Sequence, residues 1–165
     1  MAYGVRSLDL EPRPIAELVG FVLLVNVVGS APALVTSTDT AWFEGLEKPW
    51  FYPPSIAFSI VWTALFTLLG IALWRVWRAN SSGRRLALGL FAVQMAFNVA
   101  WTPTFFTLQQ PLVALGVIAV LLVLVLATLV AFRRVDRTAA ALLVPYLLWV
   151  VFATALTFEI WRLNA

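Results

Sequence analysis

The stretch "LEKPWFYPPSIAFSIVWTALFTLLGIALWRVWR", residues 46–78, changes character midway. Its opening holds Glu47, Lys48, Pro49 and Pro53 around Trp50, Phe51 and Tyr52; from Ser55 to Trp74 no residue is charged, and then Arg75 and Arg78 follow. About twenty residues at ~1.5 Å each cross a hydrocarbon core of roughly 30 Å. Inside that core every backbone polar group must be satisfied within the segment, so the run reads as a membrane-spanning helix. The stretch before it is a stiff aromatic collar. Pro49, Pro53 and Pro54 restrict the residues preceding them, and Pro54 suits the first turn of the helix it opens.

Four further runs have the same character. Apolar segments extend over residues 15–35, 54–77, 86–106, 112–132 and 139–161, with an aromatic-rich connection at 37–53. The 165-residue chain is 62% hydrophobic and 12% charged, with a mean hydropathy of +0.95. A soluble domain is about 45–50% apolar and about 25% charged. The expected fold is therefore an all-α integral membrane protein, a five-transmembrane-helix bundle in one domain whose solvent is the lipid bilayer. The first run also resembles a secretory signal, because "GSAPA" at 29–33 offers a small-residue cleavage pattern. Its flank mixes Arg6, Asp9, Glu11, Arg13 and Glu17, whereas a signal begins plainly basic, and this favours a retained helix.

The basic residues orient the bundle. Arg75, Arg78, Arg84 and Arg85 follow the second run, and Arg133, Arg134 and Arg137 follow the fourth. With Arg6 and Arg13 they place nine basic residues on one side, against Lys48 and Arg162 on the other. The positive-inside rule then predicts the N-terminus inside, the C-terminus outside and the aromatic connection on the outer face, with a cytoplasmic membrane as the expected location. The net charge of +3 forms no basic stripe, so nucleic acid is not an expected partner. Trp74, Trp77 and Trp161, each close to an arginine, read as interfacial anchors.

Absences narrow the chemistry. No Cys is present, which excludes disulfides and thiolate chemistry, and no His is present, which removes the commonest metal ligand and general base. No metal site is expected, and no acid–base pair argues for hydrolysis or group transfer. Positions in the helices instead suggest binding. Gln94, Asn98 and Thr102 recur every four residues in the third run and share a stripe with Trp101. A polar stripe inside a membrane needs an internal partner. Gly89, Ala92, Ala96 and Ala100 form a second stripe whose small side chains permit close helix approach, the expected subunit interface. Intramolecular packing is the competing reading for both stripes. Ser55, Phe58, Ser59, Trp62 and Phe66 share a sector of the second run; Tyr146, Trp149, Ala153 and Thr157 share one of the fifth. The fourth run is apolar all round except for Thr128. Trp42, Phe43, Trp50, Phe51 and Tyr52 form either a lid over a cavity or an interfacial belt.

These residues resemble the TspO/MBR family, the tryptophan-rich sensory proteins that include the mitochondrial translocator protein. The family's first-loop pattern is matched by Trp42, Leu46, Lys48, Pro49, Pro53 and Pro54, continuing into Phe58, Val61 and Trp62. Its helix-three pattern is matched by Gln94, Asn98, Trp101, Thr102, Phe105 and Phe106, and its helix-five pattern by Pro145, Tyr146, Trp149, Phe152, Ala153 and Leu156. The resemblance spans essentially the whole chain. It implies a homodimer of five-helix bundles with a pocket closed by the first loop, binding protoporphyrin IX, haem or other hydrophobic small molecules. No cofactor is required; the tetrapyrrole is the ligand. Carried over by position, the pocket residues are Phe43, Pro53, Pro54, Trp62, Phe66, Asn98, Trp101, Thr102, Tyr146, Trp149 and Ala153. Transport or stress sensing is the implied role, with light-dependent porphyrin breakdown and a ligand-free assembly protein as alternatives. Two departures matter. Thr157 stands where many relatives carry Asn, and the sterol pattern L/V-x₁₋₅-Y-x₁₋₅-K/R fails because the first basic residue after Tyr146 is Arg162.

Overall fold

The computed structural model describes residues 12–38 and 40–165; Arg6, Asp9 and Glu11 of the N-terminal flank, and Asp39, lie outside the described residues. Five long helices account for most of the chain: α1 (Pro12–Val35), α3 (Ser55–Arg78), α4 (Arg84–Thr102), α5 (Pro111–Val135) and α6 (Arg137–Asn164). A four-residue helix, α2 (Ala41–Glu44), lies in the first connection, and a π-helical turn (Pro103–Thr107) extends α4. All five long helices are apolar and long enough to cross a membrane.

Local chemistry sets the helix ends. Thr40 caps α2 by accepting from the Phe43 N–H at 3.2 Å. Asp136 caps α6 by accepting from the Ala139 N–H at 2.9 Å. Pro54 lies one position earlier than its sequence suggested: it is the extended residue before α3, with φ −61° and ψ 145°, and Ser55 begins the helix. The third apolar run does not end as plain α-helix. Pro103 has no N–H to give the preceding turn, and the Leu108 N–H instead bonds the Pro103 carbonyl five residues back at 2.9 Å.

The long helices form a closed ring. α1 packs on α3, α3 on α6, α6 on α5, α5 on α4, and α4 returns to α1. Gly70 permits the α1–α3 contact, since a Cβ there would stand 2.6 Å from the Val22 Cα. Gly29 meets the Phe66 ring in the same interface. Leu69, Ala72, Val76, Leu121, Val125, Phe132, Leu143 and Val150 are fully enclosed in the core. Thr128 is buried too, and its hydroxyl is satisfied by the Leu124 carbonyl at 2.7 Å. A serviceable helix therefore needs no partner for that lone hydroxyl.

The two ends of the ring differ. At one end Arg75 Nη2 meets Asp136 Oδ2 at 2.9 Å, tying α3 to the α5–α6 corner, while Glu17 lies 3.7 Å from Arg13 and 4.0 Å from Arg78. Burial pushes the Asp136 carboxyl up, but the Ala139 N–H and the Arg75 guanidinium outweigh it and hold the group below its ordinary value. The opposite end carries α2, the π turn and the end of α6.

Candidate functional site

The polar stripe of α4 meets α6 in the interior of the ring. Asn98 Nδ2 donates to the Tyr146 hydroxyl at 3.1 Å, and that hydroxyl donates to Gln94 Oε1 at 3.0 Å. Gln94 and Tyr146 are 0% exposed, and Asn98 is buried. One phenol thus joins two amides a helical turn apart. Gln94 Nε2 is left as a buried donor with no partner among the described residues.

Aromatic rings lead from this triad to the end of the bundle. Trp62 stacks on Phe66 with centroids 5.1 Å apart, and meets Tyr146 and Trp149 edge-on at 6.3 Å each. Trp149 continues to Phe58 at 5.9 Å, Phe58 to Tyr52 at 5.7 Å, and Tyr52 to Phe43 at 6.2 Å. Phe43 reaches Phe106 at 5.0 Å and Phe105 at 6.2 Å, and Trp101 stacks on Phe105 at 5.3 Å. The π turn supplies Phe105 and Phe106, so the departure from α-geometry lies where the loop meets the helices. Two indole N–H groups along this path, on Trp101 and Trp149, are buried without an acceptor among the described residues.

The first connection is fixed over this path by polar contacts. Lys48 Nζ donates to the Phe43 carbonyl at 2.9 Å and lies 4.6 Å from the Phe43 ring centroid. Asn164 clamps Glu47 from below: its Oδ1 accepts from the Glu47 N–H and its Nδ2 donates to the Glu47 carbonyl, both at 2.9 Å. Burial raises the Tyr52 hydroxyl above its ordinary pKa. The collar is divided: Trp42, Phe43, Phe51 and Tyr52 pack inward, whereas Trp50 is 95% exposed. Trp50 belongs to the surface, beside a cleft of about 390 Å³ that Lys48, Glu159 and Arg162 also line.

The structure brings Phe43, Trp62, Phe66, Asn98, Trp101, Tyr146 and Trp149 into one network. Pro53 and Ala153 are half-buried, Pro54 is exposed, and Thr102 is half-buried at the junction with the π turn. Phe66 reaches past the network to fill the α1–α3 contact at Gly29. Thr157 donates to the Ala153 carbonyl at 2.8 Å, so its hydroxyl is used within its own helix. Sequence reasoning placed Gln94 on the polar stripe but not among the site residues, and it missed Asn164, whose partner is a backbone 117 positions away. Gly89, Ala92, Ala96 and Ala100 are all exposed on the outside of the ring, and nothing lies within 4 Å of where a Gly89 Cβ would stand.

Comparison with known proteins identifies a family. The TspO/MBR family profile matches residues 21–162. The chain is 44% identical over 123 residues to the tryptophan-rich sensory protein of Cereibacter sphaeroides, covering 74% of this chain and 77% of the relative. It is 39% identical to the tryptophan-rich protein TspO of Chlorobaculum tepidum, over 91% of this chain and 95% of that one. It is 35% identical to the translocator protein of Homo sapiens, over 92% of each. This multi-pass helical membrane protein belongs to the TspO/MBR family.

Proposed function

We propose that the protein binds a flat hydrophobic ligand of the tetrapyrrole class, protoporphyrin IX or haem, between α3, α4 and α6 beneath the first connection, as a receptor or carrier for transport or stress sensing. The observation that carries this reading is the set of unpaired buried donors, Gln94 Nε2, Trp101 Nε1 and Trp149 Nε1, along an aromatic path. A buried donor left unpaired costs about 1–3 kcal/mol, and a ligand bearing carboxylate or carbonyl oxygens removes that cost. The rings of Trp62 and Trp149 touch each other edge-on, so a flat ligand enters by parting them and replaces ring–ring contacts with contacts of the same kind. Haem would be held without an imidazole, because the chain has none.

Titration with protoporphyrin IX, followed in the Soret band, tests the site. Ala153→Phe fills the space one turn from Trp149 and abolishes binding. Trp149→Phe keeps a ring but loses the N–H, and Asn98→Leu loses a polar partner; each weakens binding by about 1–3 kcal/mol, roughly five- to a hundredfold in Kd. Val123→Phe, on the outer face of α5 at 65% exposure, changes nothing. If Ala153→Phe binds as the parent does, the ligand lies elsewhere. Pigment returned unaltered after illumination supports a binder, and an altered spectrum with turnover supports a porphyrin-degrading enzyme.

The exposed small-residue face of α4 supports a homodimer, and the nine-to-two split of basic residues supports the N-terminus inside and the C-terminus outside a cytoplasmic membrane. Ala96→Phe puts a bulky ring on that face, and in mild detergent it shifts the protein toward monomer with helix content unchanged. A surviving oligomer removes α4 from the interface.

A further inference from the structure

Two other buried donors lie far from the aromatic path. Trp74 Nε1 and Arg75 Nε, in the last turns of α3, have no partner among the described residues. Both side chains line a cleft of about 260 Å³, together with Arg78, Ala79 and Asp136, at the arginine-rich end of the ring.

Several acceptors around this cleft are already engaged. Asp136 Oδ1 takes the Ala139 N–H and Oδ2 takes Arg75 Nη2, both at 2.9 Å. The Trp77 and Ala79 carbonyls accept from Arg84 Nη1 at 3.2 and 3.4 Å, and the Val76 carbonyl accepts from the Ala79 N–H. Arg78 has one acidic neighbour among the described residues, Glu17 at 4.0 Å, which it shares with Arg13. Its guanidinium lies 5.6 Å from the Trp74 ring centroid, which keeps it over the same indole. The cleft therefore has donors to spare, two of them shielded from water.

Depth decides which acceptor would meet them. The cleft sits where an apolar span ends in arginines, the level at which lipid phosphates lie, and basic pockets at that level take phospholipid headgroups. A guanidinium also matches a phosphate's paired oxygens better than an ammonium does. We propose that the cleft binds a phosphate group, that of a glycerophospholipid in the adjoining leaflet. Its oxygens accept from Trp74 Nε1 and Arg75 Nε, Arg78 neutralises its charge, and its acyl chains run along the exposed apolar flank of the helices.

The experiment uses the purified protein in an uncharged detergent. Thermal unfolding is followed on adding phosphatidylglycerol, phosphatidylcholine or inorganic phosphate, each at matched ionic strength, and native mass spectrometry counts retained lipid. Phosphatidylglycerol is expected to raise the unfolding temperature in a saturable way and to remain bound. Trp74→Phe, which keeps the ring, and Arg78→Gln, at an exposed side chain, each weaken that binding about tenfold. Arg162→Gln, at the other end, does not. Equal effects of phosphatidylcholine identify the phosphodiester itself as the group bound, and an effect of inorganic phosphate alone identifies a free phosphate as the source. No saturable effect from any of the three overturns the proposal. So does an effect that persists undiminished in both Trp74→Phe and Arg78→Gln.

Discussion

Replacing Tyr146 with Phe removes one oxygen and strands two amides, because Asn98 Nδ2 and Gln94 Oε1 both depend on that hydroxyl. The expected cost is about 1–3 kcal/mol, seen as a lower unfolding temperature with unchanged helix content. An unchanged temperature would mean that the amides find other partners. Two of the three members of this triad were legible in the sequence as a stripe. Gln94 and Asn98 share one face by their spacing of four, and a polar stripe in a membrane demands a partner. That the partner is Tyr146 depends on how α6 is rotated and how deeply it sits, and neither follows from the period of either helix. Leu122 shows the same limit: in a span apolar all round it looks neutral, yet it packs against the core, and Val123 beside it is the residue facing outward.

At the scale of elements, the first connection is held by a clamp that no local pattern announces. Asn164→Ala removes both bonds to Glu47 and is expected to speed hydrogen exchange in residues 41–52 while leaving α5 unchanged. Equal exchange would show that Lys48 and the aromatic contacts suffice. The α5–α6 corner offers a second test. Because the folded protein lowers the Asp136 pKa, its carboxylate stabilises the fold fully above the ordinary value of 3.8, and that contribution disappears as the pH falls through the lower folded value. Asp136→Ala loses a helix cap and an ion pair, about 1–2 kcal/mol at pH 7, and the gap from the parent closes in acid. A gap independent of pH would assign the loss to something other than charge. The helices themselves were readable from hydropathy, but the π turn was not, because Pro103 could equally have ended the span.

For the whole molecule, the arginines give an expectation of sidedness, while the order of helices around the ring has no signal in the sequence. Short connections say which helices follow one another and nothing about which close the circle. Sidedness is tested by thiol labelling in intact cells, for which the cysteine-free chain is suited. Ser82 and Gln110 are exposed at opposite ends, and they serve better than Ser81, whose Oγ faces the Gly83 N–H, or Gln109, whose backbone already sits at a φ of 55° that side-chain-bearing residues seldom adopt. Gln110→Cys is expected to react with an impermeant reagent and Ser82→Cys to resist it; the reverse pattern would invert the molecule. The ring order has a consequence for how the protein is made. α6 wedges between α3 and α5, so the circle stays open until this 28-residue helix has entered the bilayer. A nascent chain therefore carries Gln94 and Asn98 into the membrane before Tyr146 has been made, and the interior is completed only when α6 arrives.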